Sequence, residues 1–205
     1  MSSLTGADVL VAVEPDPTPL VLSVARTLRS SAEVPELRTL MDGTTGPIAL
    51  ASVADSQAVT LDFVDGRIHV RHGVDGGLEP LELHFSPEYT VVGGGELGEA
   101  VGRMLSPPLP DWNVAAQKFW DLNADTASFP EQLIIVCTDD DERVVFGHGA
   151  TPFEIHGSAE SLSSVLSGQF DSFLIALGVG AIAVIGMGSQ ISVMCGAHWK
   201  VRFNG

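Results

Sequence analysis

The strongest constraint on the fold of this chain is a long stretch, Ser172 to Ala197, that contains no Asp, Glu, Lys or Arg. The stretch is long enough to cross a bilayer as a helix. Five glycines and the polar pair Ser189-Gln190 interrupt it, however, in an order typical of helix, break, strand, break and helix. We therefore predict that it is buried in a protein core or against a ligand, without stable membrane insertion.

The charge balance of the chain argues against nucleic acid as a partner. Ten Lys and Arg residues stand against 26 Asp and Glu residues, which gives a formal net charge of −16. Such a charge repels phosphate backbones and anionic bilayers unless a local basic patch overrides it, and the sequence contains no such patch. The length of 205 residues allows one large domain or two small ones.

The N-terminal segment and the cysteines indicate a cytoplasmic protein without a metal or a cofactor. Residues 1–19 lack a basic n-region, and acids and prolines break their apolar run, so we expect no secretion signal. Cys137 and Cys195 have no CxxC spacing and no neighbouring histidine of the zinc-site kind. We expect two reduced thiols in a core.

Helix and strand patterns alternate along the first half. Thr18-Pro19 opens a helix whose apolar stripe runs from Leu20 to Leu28. Strands follow. In the first of them Val59, Leu61 and Phe63 alternate with Thr60 and Asp62, and a turn at Val64 to Arg67 leads into the next strand. We predict an antiparallel meander with one buried face.

Parts of this meander recur in the second half of the chain. VTLDFVDGRIHVRHG (Val59 to Gly73) aligns with LIIVCTDDDERVVFGHG (Leu133 to Gly149), and LELHFSPE (Leu81 to Glu88) aligns with FEIHGSAE (Phe153 to Glu160). Each copy contains a strand that ends in His-Gly, a strand with Glu-x-His, and a serine helix cap followed by an acid. The pattern predicts an internal pseudo-repeat, with chance similarity between short meanders as the alternative.

The two copies end differently, which predicts the domain boundaries. After Ser158 the second copy continues as a helix that stops at Gly168, restarts near Phe170-Asp171 and reaches a strand at Ala181 to Ile185. The first copy is interrupted by Gly93 to Gly95 and has no equivalent last strand. We predict a degenerate first half at 1–106, a proline-rich linker at 107–111, and a second half at 112–205.

The second half resembles the C-terminal half of a sterol carrier protein domain. The resemblance depends on element order, on Leu166-Ser167-Gly168 followed by Phe170-Asp171, and on Gly180 to Gly186 leading into an apolar terminal helix. It covers about Trp112 to Phe203 and, through the repeat, Leu20 to Leu105 more weakly. The resemblance implies an α+β fold of antiparallel twisted sheets covered by helices, with an apolar tunnel that carries a lipid-like molecule.

The resemblance also implies which residues contact this hydrophobic ligand, with plain core packing as the alternative for each. The implied tunnel wall consists of Trp112, Phe119, Leu162, Val165, Leu166, Phe173, Leu174, Leu177, Ile185, Met187, Ile191 and Met194. Family members carry lysines along the final strand and helix, whereas this chain has none there until Lys200. The missing charges suit a buried face, either between the two halves or in a homodimer.

Catalytic candidates come from the repeated Glu-x-His strands. Glu82 with His84, and Glu154 with His156, point away from the apolar face by strand alternation, so exposure to solvent is the alternative to a function. If that face were covered, they could perform acid-base chemistry, and Tyr89 is a further candidate. The spacing does not require a metal.

No recognised catalytic motif supports an enzyme over a carrier. The chain has no G-x-S-x-G elbow, and the loose G-x-G-x-x-A match at Gly178 to Ala183 lacks the strand-helix-strand context of a dinucleotide site. The acidic run Asp139 to Glu142 is typical of a solvated turn, because the ligand order of a calcium loop is absent.

The sequence predicts a carrier of a hydrophobic small molecule, such as a lipid, isoprenoid or polyketide. A cofactor-free isomerase or cyclase with the same cavity is the alternative, and an interaction module whose cavity is filled by its own side chains is a third.

Overall fold

A computed structural model describes residues 10–85 and 89–204 of the chain, and these residues form seven helices and ten strands. The chain divides into two compact units at Pro108 and Leu109, within the proline-rich segment. Each unit has its own sheet and its own apolar core. None of the helices in the described residues combines the length and the apolar character needed to cross a membrane.

The first unit is a six-stranded sheet with three helices. Its elements are β1 (Val11–Val13), α1 (Pro19–Ala32), α2 (Pro35–Gly43), β2 (Gly46–Ser52), β3 (Ala58–Val64), β4 (Arg67–His72), β5 (Leu81–Phe85), β6 (Tyr89–Val92) and α3 (Gly95–Met104). The strand order is β1-β4-β3-β2-β5-β6. The pairs β1–β4 and β2–β5 are parallel, and the other pairs are antiparallel.

Local chemistry explains two elements of the first unit. The Thr18 hydroxyl accepts a hydrogen bond from the Val21 amide at 3.4 Å, and Pro19 occupies the first turn of α1, where its missing N–H costs nothing. The β3–β4 hairpin turns at Asp65 and Gly66, which have φ angles of 50° and 71°. Positive φ at both central residues is the geometry that a two-residue hairpin requires.

The second unit is a four-stranded sheet with four helices. Its elements are α4 (Trp112–Asn123), β7 (Gln132–Cys137), β8 (Arg143–Gly147), β9 (Phe153–Gly157), α5 (Ala159–Leu166), α6 (Phe173–Gly178), β10 (Ile182–Ile185) and α7 (Gly188–Asn204). The strand order is β10-β9-β7-β8, and β7 and β9 are parallel.

Close contacts fix the helices of the second unit. The Ser158 hydroxyl accepts a hydrogen bond from the Ser161 amide at 3.1 Å and so caps α5. Gly168 ends this helix region with a φ of 73°, and a Cβ there would lie 2.9 Å from the backbone of Arg202. The ring of buried His198 contacts the carbonyl oxygens of Val165 (3.0 Å) and Phe170 (3.1 Å). These contacts hold α7 against the connection between α5 and α6.

The α+β class predicted from the sequence is confirmed, whereas the prediction of antiparallel sheets is wrong in part, because both sheets are mixed. The chain crosses over after β4, so that β5 runs parallel to β2, and it crosses again after β8.

The two segments that align in sequence, Val59 to Gly73 and Leu133 to Gly149, occupy different positions in their sheets. β2 lies beside β5 as β7 lies beside β9, so β2, and not β3, holds the position of β7. β6 pairs antiparallel with β5 as β10 pairs with β9, so the prediction that the first half has no equivalent last strand is wrong. The predicted cap at Ser86 lies outside the described residues.

Candidate functional site: the outer face of the second sheet

The second sheet has one face on the helices and one face away from them. Leu133, Ile135 and Ile155 point to the helices and belong to the apolar core of the unit. Because side chains alternate along a strand, their neighbours point to the opposite face. We call this opposite face the outer face; it consists of Gln132, Ile134, Val136, Arg143, Val145, Glu154, His156, Ala183 and Ile185.

Strand pairing arranges the outer face in two rows. Ile185, Glu154, Ile134 and Val145 are successive cross-strand neighbours in the first row. Ala183, His156, Val136 and Arg143 form the second row in the same way. Each row therefore places one polar side chain of β9 between apolar side chains of β7 and β10.

Glu154 and His156 form a hydrogen-bonded pair at the centre of this face. Nε2 of His156 lies 3.0 Å from Oε2 of Glu154, and their side chains are 26% and 24% exposed. Residues two apart on a strand point to the same face, which explains the contact. Ile134 and Ile185 flank the glutamate on the two sides, and Ile134 is itself buried.

The corresponding pair of the first sheet is much more exposed. Nε2 of His84 lies 3.4 Å from Oε2 of Glu82, and the side chains are 46% and 67% exposed. Glu82 lies between Ala51 and Val92, and the partner of His84 on β6 is Thr90. Ala51 and Val92 are smaller than the two isoleucines that flank Glu154, which leaves Glu82 more open to water.

The hydrogen bond between Glu154 and His156 leaves one ring nitrogen of His156 able to accept a proton or a hydrogen bond. The tautomer that donates to Glu154 carries its proton on Nε2, which leaves Nδ1 as an acceptor. Within residues 10–85 and 89–204, no group donates a hydrogen bond to this Nδ1. His156 can therefore accept a hydrogen bond from a hydroxyl or a protonated carboxyl group, or act as a general base.

Tyr89 does not join either pair. Its hydroxyl donates a hydrogen bond to the Ser23 hydroxyl at 2.8 Å, and its ring packs against Phe85 with a centroid distance of 4.8 Å. The side chain is buried in the core of the first unit. Tyr89 thus has a structural role in this core.

The residues of the implied tunnel wall occupy three environments. Six of them have no accessible surface: Phe119, Leu162, Val165, Leu166, Phe173 and Met194. A side chain beside a cavity wide enough for water would keep some accessible surface, so these six pack directly against their neighbours. Trp112 is also buried, and Leu177 and Ile191 are partly buried. Leu174, Ile185 and Met187 are 58%, 59% and 53% exposed.

A groove in the first unit was not predicted from the sequence. It has a volume of about 700 Å³, is open to solvent, and lies among α2, β6 and α3. Gly98 and Gly102 line it one helical turn apart, so α3 presents no side chain at these two positions. The spacing of these glycines was the available sequence signal.

A second contact missed from the sequence joins β1 to the end of β4. Burial acts to raise the pKa of Glu14, but hydrogen bonds from His72 outweigh it and lower the pKa below its ordinary value. The His72 amide donates at 2.6 Å, and Nδ1 of its ring lies 2.9 Å from the same carboxylate oxygen. The charged carboxylate is favoured because both contacts stabilise it.

The remaining reactive groups offer little chemistry. Burial raises the pKa of the Cys137 and Cys195 thiols, which keeps them protonated and poorly nucleophilic. The described residues contain no group of three or more His, Cys, Asp or Glu side chains placed to hold a metal ion.

Comparison of the chain with models of known protein families, with curated proteins and with solved structures found no match.

Proposed function

We propose that this protein is a non-catalytic carrier, which binds a hydrophobic small molecule with one polar group on the outer face of its second sheet. The observation that supports the proposal is the half-buried pair of Glu154 and His156 within apolar rows. The apolar part of the ligand lies along Val136, Ala183 and Ile185, which keep accessible surface, and its hydroxyl or protonated carboxyl group donates to Nδ1 of His156.

The outer face can supply enough free energy for this task. Burial of ~300 Å² of ligand surface at about 25 cal/mol per Å² contributes several kcal/mol before ordering costs. A hydrogen bond to the half-buried imidazole adds about 1 kcal/mol. These amounts together correspond to retention in the micromolar range.

The proposed site differs from the tunnel of the sterol carrier family. Helices on one face of each sheet support the proposal that the two units are sterol-carrier-like. The interior of the second unit is filled by its own side chains, since six residues of the implied tunnel wall have no accessible surface. A ligand in that interior would have to displace Phe119 or Phe173, whereas the outer face requires no rearrangement of the core.

We further propose that the two units derive from an internal duplication. The strands β2, β5 and β6 pair as β7, β9 and β10 do: parallel, then antiparallel. Glu-x-His lies on β5 in one unit and on β9 in the other, at equivalent places in this pattern. The first unit is the copy whose pair has remained open to water.

The free acceptor of His156 favours one second candidate, a cofactor-free isomerase or cyclase. In this function Nδ1 would remove a proton from an apolar substrate, while Glu154 stabilises the resulting imidazolium. A chemical change in a bound polyene or ketone, lost in His156→Gln, would identify it. The carrier requires no such change.

The outer-face site is tested by titration with the fluorescent fatty alcohol cis-parinaryl alcohol, whose hydroxyl group can donate to Nδ1 of His156. We expect micromolar binding to the native chain and roughly fivefold weaker binding to His156→Ala, because one hydrogen bond of about 1 kcal/mol is lost. His84→Ala is the matched control, since it alters the equivalent pair of the first unit, and we expect native affinity. Absence of binding, or equal affinity of all three proteins, would refute this site. Circular dichroism verifies that each variant is folded.

A further inference from the structure

The second sheet has two edges with opposite character. At one edge, β8 begins at Arg143, directly after the acidic turn Asp139 to Glu142. At the other edge, β10 has no charged residue and no proline. Charges and prolines are the usual means by which an edge strand avoids pairing with another chain. The β10 edge has neither protection.

The backbone groups that β10 presents outward can be identified from its pairing. The carbonyl of Gly157 accepts a hydrogen bond from the Thr138 amide at 2.8 Å, so Gly157 faces β7. The alternate residue His156 therefore faces β10, where its register partner is Ala183. Ile182 and Val184 consequently direct their N–H and C=O groups away from the sheet, where no strand of the described residues pairs with them.

Apolar side chains flank β10 on both of its faces. The helix α6 and its end expose Leu174, Ile175 and Val179 at 58%, 47% and 68%. On the outer face, Ile185 is 59% exposed, and Met187 just beyond the strand is 53% exposed. We call these five side chains, together with Ala183, the β10 edge surface.

Size and charge together indicate what covers the β10 edge surface. Five large apolar side chains that are about half exposed present roughly 500 Å², at the upper end of what a monomer usually exposes in one patch. One partner of a standard interface buries about 800 Å², which the strand itself and its flanks can complete. The whole segment from Ser172 to Ala197 is free of charge in a chain of net charge −16. Two copies that approach through this segment meet the least repulsion.

We propose that a second copy of this chain binds at β10, with the two β10 strands antiparallel about a twofold axis. The arrangement is self-complementary, because each strand offers the same outward amides and carbonyls to the other. It joins the two four-stranded sheets into one and brings the outer face of each subunit beside that of its partner. This inference goes beyond the proposed carrier function and does not depend on it.

The oligomeric state is measured by sedimentation equilibrium on the full chain in 0.15 M salt. We expect a mass of twice 21.5 kDa for the native protein. Val184→Pro removes one outward N–H without touching the pairing with β9, and Ile185→Lys places a charge on the edge surface. We expect both variants to sediment as monomers. Val145→Lys is the matched control, because Val145 is similarly exposed on β8, and we expect it to remain a dimer.

The salt dependence gives a second readout of the same interface. Because both subunits are strongly acidic, lowering the salt to 0.02 M lengthens the range of their repulsion and should weaken the dimer at least several-fold. A native chain that is monomeric at all concentrations would overturn the proposal. A dimer that persists in both Val184→Pro and folded Ile185→Lys would also overturn it, since another surface would then carry the contact. Ligand titration of monomeric Val184→Pro separates this outcome from failure of the carrier function, because Val184 points away from the outer face.

Discussion

The two units place the same pair of side chains on equivalent strands and give it different surroundings. On β5, Glu82 lies between Ala51 and Val92, His84 pairs with Thr90, and both side chains are largely exposed. On β9, Glu154 lies between Ile134 and Ile185, His156 lies between Val136 and Ala183, and each side chain is about one quarter exposed. The motif alone therefore does not make a site, because the neighbouring strands decide whether water solvates it.

The rest of each outer face follows the same contrast. In the first sheet, β2 and β3 hold the positions of β7 and β8, and they place Ala49, Ala51, Thr60 and Asp62 on the face that carries Glu82. In the second sheet, β7 and β8 place the larger side chains Ile134, Val136, Val145 and Arg143 on the corresponding face. A polar ligand group on the second face thus competes with fewer water contacts than it would on the first face.

The largest effect that tests this contrast is expected from core substitutions. Phe153 has no accessible surface, so Phe153→Ala should lower the stability of the second unit by about 3–5 kcal/mol. All three tryptophans, Trp112, Trp120 and Trp199, lie in the second unit, so their fluorescence during urea unfolding reports on that unit.

The matched substitution for this measurement is Leu50→Ala, which removes an equally buried side chain from the core of the first unit. We expect it to leave the midpoint of the tryptophan transition unchanged. A shift of that midpoint as large as the one caused by Phe153→Ala would mean that the two cores unfold as one.

A smaller but more informative effect is expected from transferring the neighbours of one pair to the other. The double variant Ala51→Ile with Val92→Ile gives Glu82 the two isoleucine neighbours that Glu154 has, which should reduce the exposure of Glu82 and His84. We expect a second, weaker binding event in titration with cis-parinaryl alcohol, contributed by the first unit. His84→Ala in the same background should abolish it. If the double variant binds the ligand only as the native chain does, then the size of the neighbouring side chains does not explain why one face binds and the other does not.

Short sequence patterns predicted several local elements of this fold correctly. Capping at Thr18 and Ser158, the stop at Gly168 and the strand at Ile182 to Ile185 were all visible in short patterns. The sheet partners were not visible, because a strand pattern states which face is apolar and not which strand lies beside it. The parallel pairs β2–β5 and β7–β9 depend on crossovers that no local signal specifies.

The candidate site was predictable only in part, for a related reason. Alternation identified Glu154 and His156 as neighbours on one face. The continuous apolar run Leu133 to Val136 hid the fact that Ile134 and Val136 point to that same face. The exposure of Leu174 and Met187 could not be predicted either, because an apolar pattern does not distinguish a core residue from an apolar residue on the surface.

The smallest effect concerns the acid stability of the first unit, which has the carboxylate Glu14 bound by His72. Because the pKa of Glu14 is lowered on folding, its stabilising contribution is present above the unfolded-state pKa and is lost as the pH falls through the folded-state pKa. Glu14→Gln should therefore flatten the decline of stability in acid, as measured by far-UV circular dichroism in urea. The tryptophan transition of the second unit should be unaffected. An unchanged acid profile in Glu14→Gln would contradict the proposed contact.

The most direct test of the carrier account is photo-crosslinking with a diazirine fatty alcohol, followed by peptide mapping of the labelled chain. We predict that the label falls on β7, β9 and β10, at residues 132–136, 154–156 and 183–185, and that the unlabelled fatty alcohol competes for it. Label confined to residues 162–173, in the filled interior, or to residues 10–108 would contradict the outer-face site.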